Sequence, residues 1–183
     1  MNTYIALLRG INVSGQKKIK MADLKIALEQ LGFTEVTTYI QSGNIVFKYV
    51  KTHHDELSKR IHDKIDAHFG FDVPVLVITP QTLNSIYKKN PFLDRIAKGE
   101  IAENKMFFTL LKNAPDTIAA QELSGTSYGE EEFLITENVV YFYAANGYGK
   151  TKLNNNFFEK KLKSSATTRN LKTVVKLMKL SKL

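Results

Sequence analysis

Two groups of cationic and amide side chains, one near each end of the chain, have residue types that bind anions. The first group is Arg9-Gly10-Ile11-Asn12, which Ser14, Gly15, Lys17, Lys18 and Lys20 follow up to a predicted helix. Small residues leave backbone N–H groups accessible and lysines at a helix entrance add positive charge, so this loop suits phosphate or carboxylate. The alternative interpretation is a solvated loop whose lysines contribute only to solubility.

The second group is Thr167-Thr168-Arg169-Asn170, at the predicted start of the last helix. We expect a threonine to cap this helix, which would leave the positive end of the helix dipole beside the Arg169 guanidinium. A planar guanidinium can donate to two oxygens of one anion. The alternative is an ordinary helix cap, with Arg169 paired to a carboxylate inside the fold.

Positive charge is concentrated at the C-terminal end of the sequence. Residues 150–183 contain ten of the 26 Lys and Arg residues and one of the 18 Asp and Glu residues. This end therefore accounts for all of the formal net charge of +8. A segregated charge of this kind is informative about partners rather than about fold, and it predicts an anionic one.

These observations predict a site for a phosphate-bearing ligand, either a nucleotide or a phosphorylated metabolite, in a basic cleft between two halves of the chain. Arg9, Lys20 and Arg169 would hold the anion, and Asn12, Gln41 and Asn44 would orient the rest of the ligand by hydrogen bonds. The full set of predicted ligand-binding residues is Arg9, Asn12, Lys20, Gln41, Ser42, Asn44, Lys152, Arg169 and Asn170. The sequence predicts no reaction, catalytic residue, cofactor or metal site, and it leaves enzymatic activity open.

Two other functions fit the same residues. The basic C-terminal segment could bind nucleic acid, in which case affinity would fall steeply with salt as counterions are released. The motifs could also be purely structural, with caps and turns that stabilise the two halves and lysines that are simply solvated. The sequence favours the small anionic ligand over these two alternatives.

A P-loop and an RNA-recognition motif are each disfavoured by one or two positions. Gly149-Lys150-Thr151 matches the end of a P-loop, but Ala144 stands where its first glycine is needed. The segment from Ser42 to Tyr49 aligns with the third strand of an RNA-recognition motif, but Asn44 and Val46 replace two of the stacking aromatics. Nucleotide hydrolysis and base stacking on the first sheet are therefore not expected.

Metal and thiol chemistry are also disfavoured. The chain has no cysteine, which excludes disulfides, thiolate nucleophiles and Cys-ligated metals. Its four histidines lie on or beside the second helix without the i, i+4 spacing of an HExxH site: His53, His54, His62 and His68. We interpret them as residues of a helix surface or cap.

The hydrophobic pattern predicts an α+β fold made of two ferredoxin-like (βαββαβ) halves, the second less regular. For residues 1–92 the predicted elements are a strand at 3–9, a helix at 21–31, strands at 36–40 and 45–49, a helix at 57–69 and a strand at 73–79, with a further helix at 80–89. For residues 93–183 they are a strand at 105–111, a helix at 116–123, strands at 132–136 and 139–144, a helix near 157–162, a weak strand near 164–168 and an amphipathic final helix at 169–180. The two halves are expected to form one compact unit.

Six separated motifs give the chain a resemblance to a known family. They are the stretch from Tyr4 to Val13, Lys18-Ile19-Lys20-Met21, the stretch from Thr38 to Asn44, Asn90-Pro91-Phe92, Lys152-Leu153 and Thr167-Thr168-Arg169-Asn170. In this order they resemble the bacterial domain-of-unknown-function family 1697, whose last motif usually continues with tryptophan where this chain has Leu171. The resemblance implies a duplicated ferredoxin-like fold in a small soluble bacterial protein, and it supplies no activity.

The chain is expected to be cytoplasmic and to have no membrane partner. No apolar run approaches the roughly 20 residues that span a bilayer. The N-terminal sequence lacks a basic leader, and its apolar run from Tyr4 to Leu8 is too short for a signal peptide. Oligomeric state cannot be read from the sequence.

Overall fold

The computed structural model describes residues 1–182, and their contacts group into two compact units. The first unit is Met1–Ser85 together with the chain from Lys176 onward, and the second is Ile86–Val175. The division into halves at residues 1–92 and 93–183, packed as one compact unit, stays a prediction.

The first unit follows the predicted order of strands and helices. Its elements are β1 (Asn2–Leu8), α1 (Met21–Glu29), β2 (Thr34–Tyr39), β3 (Asn44–Tyr49), α2 (His54–Phe69) and β4 (Val75–Ile78). Helix α3 (Pro80–Lys88) continues from the first unit into the second. Gly70 ends α2 in the left-handed conformation with φ 71°, as expected for a glycine that closes a helix.

The four strands of the first unit form one antiparallel sheet with the spatial order β2-β3-β1-β4. Central strand β1 pairs with β3 on one side and β4 on the other, and its residues from Tyr4 to Leu8 are buried. Alternate β1 residues pack against apolar residues of the two helices, including Leu24, Leu28, Leu57, Ile61 and Ile65. Because both faces of β1 are buried, its odd-numbered and even-numbered residues are both apolar.

The second unit repeats this order of elements. Its elements are α4 (Leu93–Ala97), a short 3-10 helix (Glu103–Lys105), β5 (Met106–Leu111), α5 (Thr117–Ser124), β6 (Glu132–Ile135), β7 (Val139–Tyr143), α6 (Asn155–Leu162) and β8 (Ala166–Asn170). Helix α7 (Leu171–Leu180) follows and ends in the first unit.

The second sheet is also antiparallel, with the spatial order β6-β7-β5-β8. Its core is strongly aromatic, because Phe142 and Phe158 are fully buried with ring centroids 5.7 Å apart in an edge-to-face arrangement. Phe133 packs edge-to-face on Phe158 at the same separation, 5.7 Å. Such contacts join β6 and β7 to α6 beyond what apolar burial alone contributes.

The start of the final helix differs from the prediction. Arg169 and Asn170 belong to β8, where they pair with Phe108 and Phe107 of β5, and the helix begins at Leu171. The expected threonine cap is wrong, because the Asn170 Oδ1 atom accepts the backbone N–H of Thr173 at 2.9 Å. Pairing with β5 extends the strand two residues further than the local pattern indicates, and asparagine is as good a cap as threonine.

Candidate functional site

One end of the first sheet brings together the N-terminal loop, residues 9–20, and the turn between β2 and β3, residues 40–43. The backbone N–H of Leu8, the last residue of β1, donates to the Gly43 carbonyl at 2.8 Å. The next N–H, that of Arg9, donates to the Pro74 carbonyl just before β4 at 3.0 Å. The loop therefore leaves the sheet at the end of β1, between β3 and β4, and half-buried Arg9 lies at this end of the sheet.

Asn12 holds the loop against the turn. Its Nδ2 atom donates to the Ile19 carbonyl at 2.9 Å and to the Gln41 carbonyl at 2.8 Å, while its Oδ1 atom accepts the Ile19 N–H at 2.9 Å. Both N–H donors of the amide are thus used within the protein. These contacts position the neighbouring backbone, and the expectation that Asn12 also orients a ligand stays a prediction.

Asn44 has a similar role within the turn. It is fully buried at the start of β3, and its Nδ2 atom donates to the Tyr39 carbonyl at 3.1 Å and to the Ser42 Oγ atom at 2.9 Å. A buried amide is stable only when it is hydrogen-bonded, so these contacts account for an asparagine at this position. They also orient the Ser42 hydroxyl toward the turn.

The same end of the sheet has an unusual concentration of left-handed backbone. Positive φ angles occur at Gly10, Asn12, Ser14, Gly15 and Lys17 in the loop and at Ile40 and Gly43 in the turn. Gly43 has φ 73°, and a Cβ atom there would lie 2.6 Å from the Leu8 Cβ atom. Ile40 has φ 48°, an outlier for a β-branched residue.

Electrostatic contacts fix the loop from the opposite side. The Lys17 Nζ atom donates to the Asp72 carbonyl, and the His62 Nε2 atom lies 2.9 Å from the Asp72 Oδ1 atom. Hydrogen bonds to Asp72 and then to Asp63 raise the pKa of His62 above its ordinary value. The contact with His62 in turn lowers the pKa of Asp72. Helix α2 is thereby connected through Asp72 to the loop.

Lys20 is exposed and stands directly before α1. Among residues 1–182 no side chain caps this helix by a hydrogen bond, and the helix dipole places a partial positive charge beside the Lys20 cation. Asp23 in the same turn offsets part of that positive charge. Gln41 is exposed as well, and it lies at the tip of the turn that Asn12 holds.

In the second unit, Arg169 is buried, with 8% of its surface exposed. Its Nη1 atom donates to the Thr167 Oγ1 atom and to the Thr168 carbonyl, both at 2.9 Å. Loss of hydration lowers the pKa of Arg169 to about 10, and the nearby Tyr148 raises it by a smaller amount. The guanidinium is therefore charged at neutral pH although it is withdrawn from water.

A hydrogen-bond network that the sequence did not reveal lies next to Arg169. The Thr168 hydroxyl is 2.9 Å from the Thr109 hydroxyl across the sheet and donates to the Asn155 Oδ1 atom at 2.9 Å. The Asn155 N–H donates to the Tyr148 hydroxyl at 3.0 Å. These contacts connect two strands, the start of α6 and the loop before it. No spacing motif marks such residues, because the contacts span the fold.

The loop at residues 144–151 is not a phosphate-binding P-loop. Strand β7, which precedes it, is antiparallel to both of its neighbours. The loop itself folds into two turns. The Gly147 N–H donates to the Ala144 carbonyl at 2.8 Å, and the Lys150 N–H donates to the Gly147 carbonyl at 3.0 Å. Burial raises the pKa of Glu131, whereas Thr151 and the Asn146 backbone lower that pKa by smaller amounts. Exposed Lys152 follows this loop.

Two surface grooves are lined by compensated charges and by none of the predicted residues. A groove of about 440 Å³ in the first unit contains Lys48 and Glu35, whose charged atoms are 2.5 Å apart. A groove of about 580 Å³ in the second unit contains Arg95, which donates to both carboxylate oxygens of Glu132 at 2.7 and 3.0 Å. The Lys48 and Arg95 charges are therefore offset by carboxylates inside these two grooves.

The structure thus brings six of the predicted residues to one end of the first sheet: Arg9, Asn12, Lys20, Gln41, Ser42 and Asn44. Asn170 caps α7 next to buried Arg169 in the second unit, and Lys152 lies on a separate loop there. The expectation that Arg9 and Arg169 bind one ligand stays a prediction.

Tyr4 does not offer a stacking surface to a base. It is buried, stacks on Phe47 with ring centroids 5.6 Å apart, and bonds through its hydroxyl to the Thr52 carbonyl at 3.1 Å. In residues 1–182, no group of three or more His, Asp or Glu side chains is arranged to hold a metal ion. No helix in that same range is both long and apolar enough to cross a bilayer.

Comparison with known proteins assigns the chain to a family. The model of a family described as "Protein of unknown function (DUF1697)" matches residues 1–141. The chain belongs to DUF1697. A solved structure of another protein, the conserved bacterial protein SP0830 from Streptococcus pneumoniae, has the same fold, with a TM-score of 0.75, 22% sequence identity and 98% of each chain covered. No curated protein matches this DUF1697 chain.

Proposed function

We propose that this chain binds a small phosphate-bearing ligand, a nucleotide or a phosphorylated metabolite, through the loop at 9–20 and the turn at 40–43. Arg9 and Lys20 supply the positive charge, and Gln41 and Ser42 supply polar groups. The observation that carries the proposal is the concentration of seven left-handed residues on these two segments. Strained backbone of this kind costs on the order of 1–3 kcal/mol for each non-glycine residue and is concentrated at functional sites in proteins.

Backbone polarity at this end of the sheet supports an anionic ligand. Successive backbone N–H groups in turns that contain left-handed residues can form a concavity for anions, and the loop has five such residues. The uncapped N-terminus of α1 lies directly after the loop and adds a partial positive charge. Since Asp23 offsets part of this charge, the cations Arg9 and Lys20 are needed for affinity.

The proposal retains Lys152, Arg169 and Asn170 as further ligand-binding residues on the basis of the sequence. Support for Arg169 comes from its burial, which keeps a charged guanidinium out of water beside Asn170. Ionisable groups with strongly shifted pKa values also tend to occur at functional sites. Arg169 has both properties.

Calorimetric titration with inorganic phosphate, AMP and glucose 6-phosphate tests this proposal. Replacing Arg9 by Met should weaken binding about 10-fold to 100-fold, because a charge-assisted hydrogen bond contributes about 1.5–3 kcal/mol. The matched control is Lys59→Met, which removes an exposed cation from α2 that pairs with Asp63. Failure of all three compounds to bind, or an equal effect of the control, would contradict the proposal.

The role of Arg169 requires a separate measurement. If Arg9 and Arg169 act on one anion, the effects of Arg9→Met and Arg169→Met on affinity should be non-additive in a double-mutant cycle. Additive effects would indicate that the two arginines act independently. Circular dichroism of each variant establishes that the fold is retained before affinities are compared.

Nucleic-acid binding is the second candidate, and the exposure of the basic segment favours it. Nine lysines of this segment are exposed: Lys150, Lys152, Lys160, Lys161, Lys163, Lys172, Lys176, Lys179 and Lys182. Titration of labelled duplex DNA and single-stranded RNA at two salt concentrations distinguishes the candidates. For duplex DNA, a plot of log K against log salt concentration should have a slope of about −0.9 per phosphate contacted, whereas a small ligand gives a shallower slope.

We also propose that each half of the chain is a ferredoxin-like unit, and that the protein acts in the cytoplasm. The duplication is supported by the order β-α-β-β-α-β in both halves and by the equivalent strand orders β2-β3-β1-β4 and β6-β7-β5-β8. A cytoplasmic location is supported by the absence of cysteine from the sequence. Fractionation of cells that express the tagged protein tests the location.

A further inference from the structure

Two exposed aliphatic side chains flank the proposed anion site. Val13 in the loop has 56% of its surface exposed, and Ile40 in the turn has 48% exposed. They adjoin Asn12 and Gln41, the two residues joined by the 2.8 Å hydrogen bond between loop and turn. The Gln16 N–H donates to the Val13 carbonyl at 2.9 Å and fixes the tight turn that displays Val13.

The backbone at Ile40 makes this exposure costly. With φ 48°, the residue occupies a region that glycine and asparagine enter readily and that a β-branched residue enters only with strain. Burial in the core cannot compensate, because about half of the side chain faces solvent. The residue type therefore lowers stability in the free protein, and a compensating gain is expected when a ligand covers the side chain.

Cations occur on the same segments as the two aliphatic side chains and beside the turn. Lys18 and Lys20 are exposed in the loop, and half-buried Arg9 lies at the edge of the sheet. From α7, the Lys176 Nζ atom lies 6.0 Å from the ring centroid of Tyr39, the residue before Ile40. Apolar surface next to several cations complements a ligand that has an apolar group and an anionic group close together.

We infer that the ligand of this site is a phosphate monoester with an apolar group, and that Val13 and Ile40 contact that group while Arg9 and Lys20 contact the phosphate. The inference rests on the proposed function and specifies its ligand class. It assigns Val13 and Ile40 to the determination of specificity. A purely polar phosphorylated sugar is accordingly a poorer ligand than an alkyl or aryl phosphate.

Calorimetric titration with methyl phosphate and hexyl phosphate tests the inference. Hexyl phosphate should bind at least about tenfold more tightly, since each buried methylene group contributes about 0.8 kcal/mol, or about fourfold. Replacing Ile40 by Asn, which adopts the left-handed conformation readily, should reduce this preference to about threefold or less. Val13→Ser should reduce it independently, and it serves as a second variant if Ile40→Asn does not fold.

Val50→Asn is the matched control, because Val50 is an equally exposed aliphatic residue just beyond the opposite end of β3. It should leave the ratio of the two affinities unchanged. Equal affinities for methyl and hexyl phosphate, or an undiminished preference in both variants, would overturn the inference and leave phosphate binding intact. If neither phosphate binds, this inference fails, and the titrations with inorganic phosphate, AMP and glucose 6-phosphate decide separately whether the proposed function fails with it.

Discussion

The Asn12 Nδ2 atom donates to the Gln41 carbonyl at 2.8 Å and so joins two segments that are 29 residues apart in sequence. The same amide bonds both backbone groups of Ile19, so one side chain connects the strand exit, the helix entrance and the turn. An asparagine is also suited to the φ of 55° at this position. These contacts are the basis of the first prediction.

Replacing Asn12 by Gly should lower the free energy of unfolding by about 2–3 kcal/mol, because three hydrogen bonds to backbone groups are lost while the left-handed backbone is retained. Chemical denaturation measures the change. The matched control is Ser14→Gly, at an exposed residue with φ 50° in the same loop, which should be neutral or slightly stabilising. Equal effects of the two substitutions would mean that the Asn12 side-chain contacts contribute nothing to stability.

Gly43 and Gly10 form a second matched pair, since both have φ 73°. An added Cβ atom at Gly43 would lie 2.6 Å from the Leu8 Cβ atom and 2.9 Å from the Ile11 Cδ1 atom, whereas no atom of residues 1–182 would lie within 4 Å of one at Gly10. Gly10→Ala should cost only the backbone penalty of about 1–2 kcal/mol. Gly43→Ala should cost at least about 2 kcal/mol more, because the core under the turn must shift. Equal melting temperatures of the two variants would contradict this prediction.

Much of the fold could be predicted because its signals are local. Runs of β-branched and aromatic residues mark β2, β3 and β7, and Gly70 marks the end of α2. The start of α7 was predicted incorrectly, because Arg169 and Asn170 fit a helix entrance locally and only their pairing with β5 places them in a strand. Helix α4, which has five residues, is too short to give a periodic pattern.

The candidate site was predictable only in its residue types. Amides and cations near the loop and turn could be recognised, but the sequence could not show that the side-chain N–H groups of Asn12 and Asn44 donate to acceptors within the protein. Hydrogen bonds over long sequence separations depend on how strands are placed, which no spacing rule encodes. For the same reason, Thr109 and Asn155 gave no signal at all.

The contact between His62 and Asp72 should make stability depend on pH. The pKa of His62 is raised in the folded state. The stabilisation that the His62–Asp72 contact gives is therefore fully present below the unfolded pKa of about 6.5 and is lost as pH rises through the folded pKa. Asp72→Asn should therefore destabilise the protein more at pH 6 than at pH 8.5. Urea denaturation at both pH values measures the difference, and it should disappear when His62→Gln is the background. A destabilisation that is equal at the two pH values would contradict the assignment.

The hydroxyl network of the second sheet should show coupling between Thr168 and Thr109. Thr168→Val removes the group that bonds both Thr109 and Asn155 and should cost about 1–3 kcal/mol, because buried polar partners are left without a hydrogen bond. Thr168→Ser keeps the hydroxyl and should cost less. In the Thr109→Val background, the cost of Thr168→Val should fall by about 1 kcal/mol, since one of the two polar groups that would lose a hydrogen bond has already been removed. Urea denaturation of the four proteins of this cycle measures the coupling, and strictly additive losses would show that the two hydroxyls, 2.9 Å apart, do not stabilise each other.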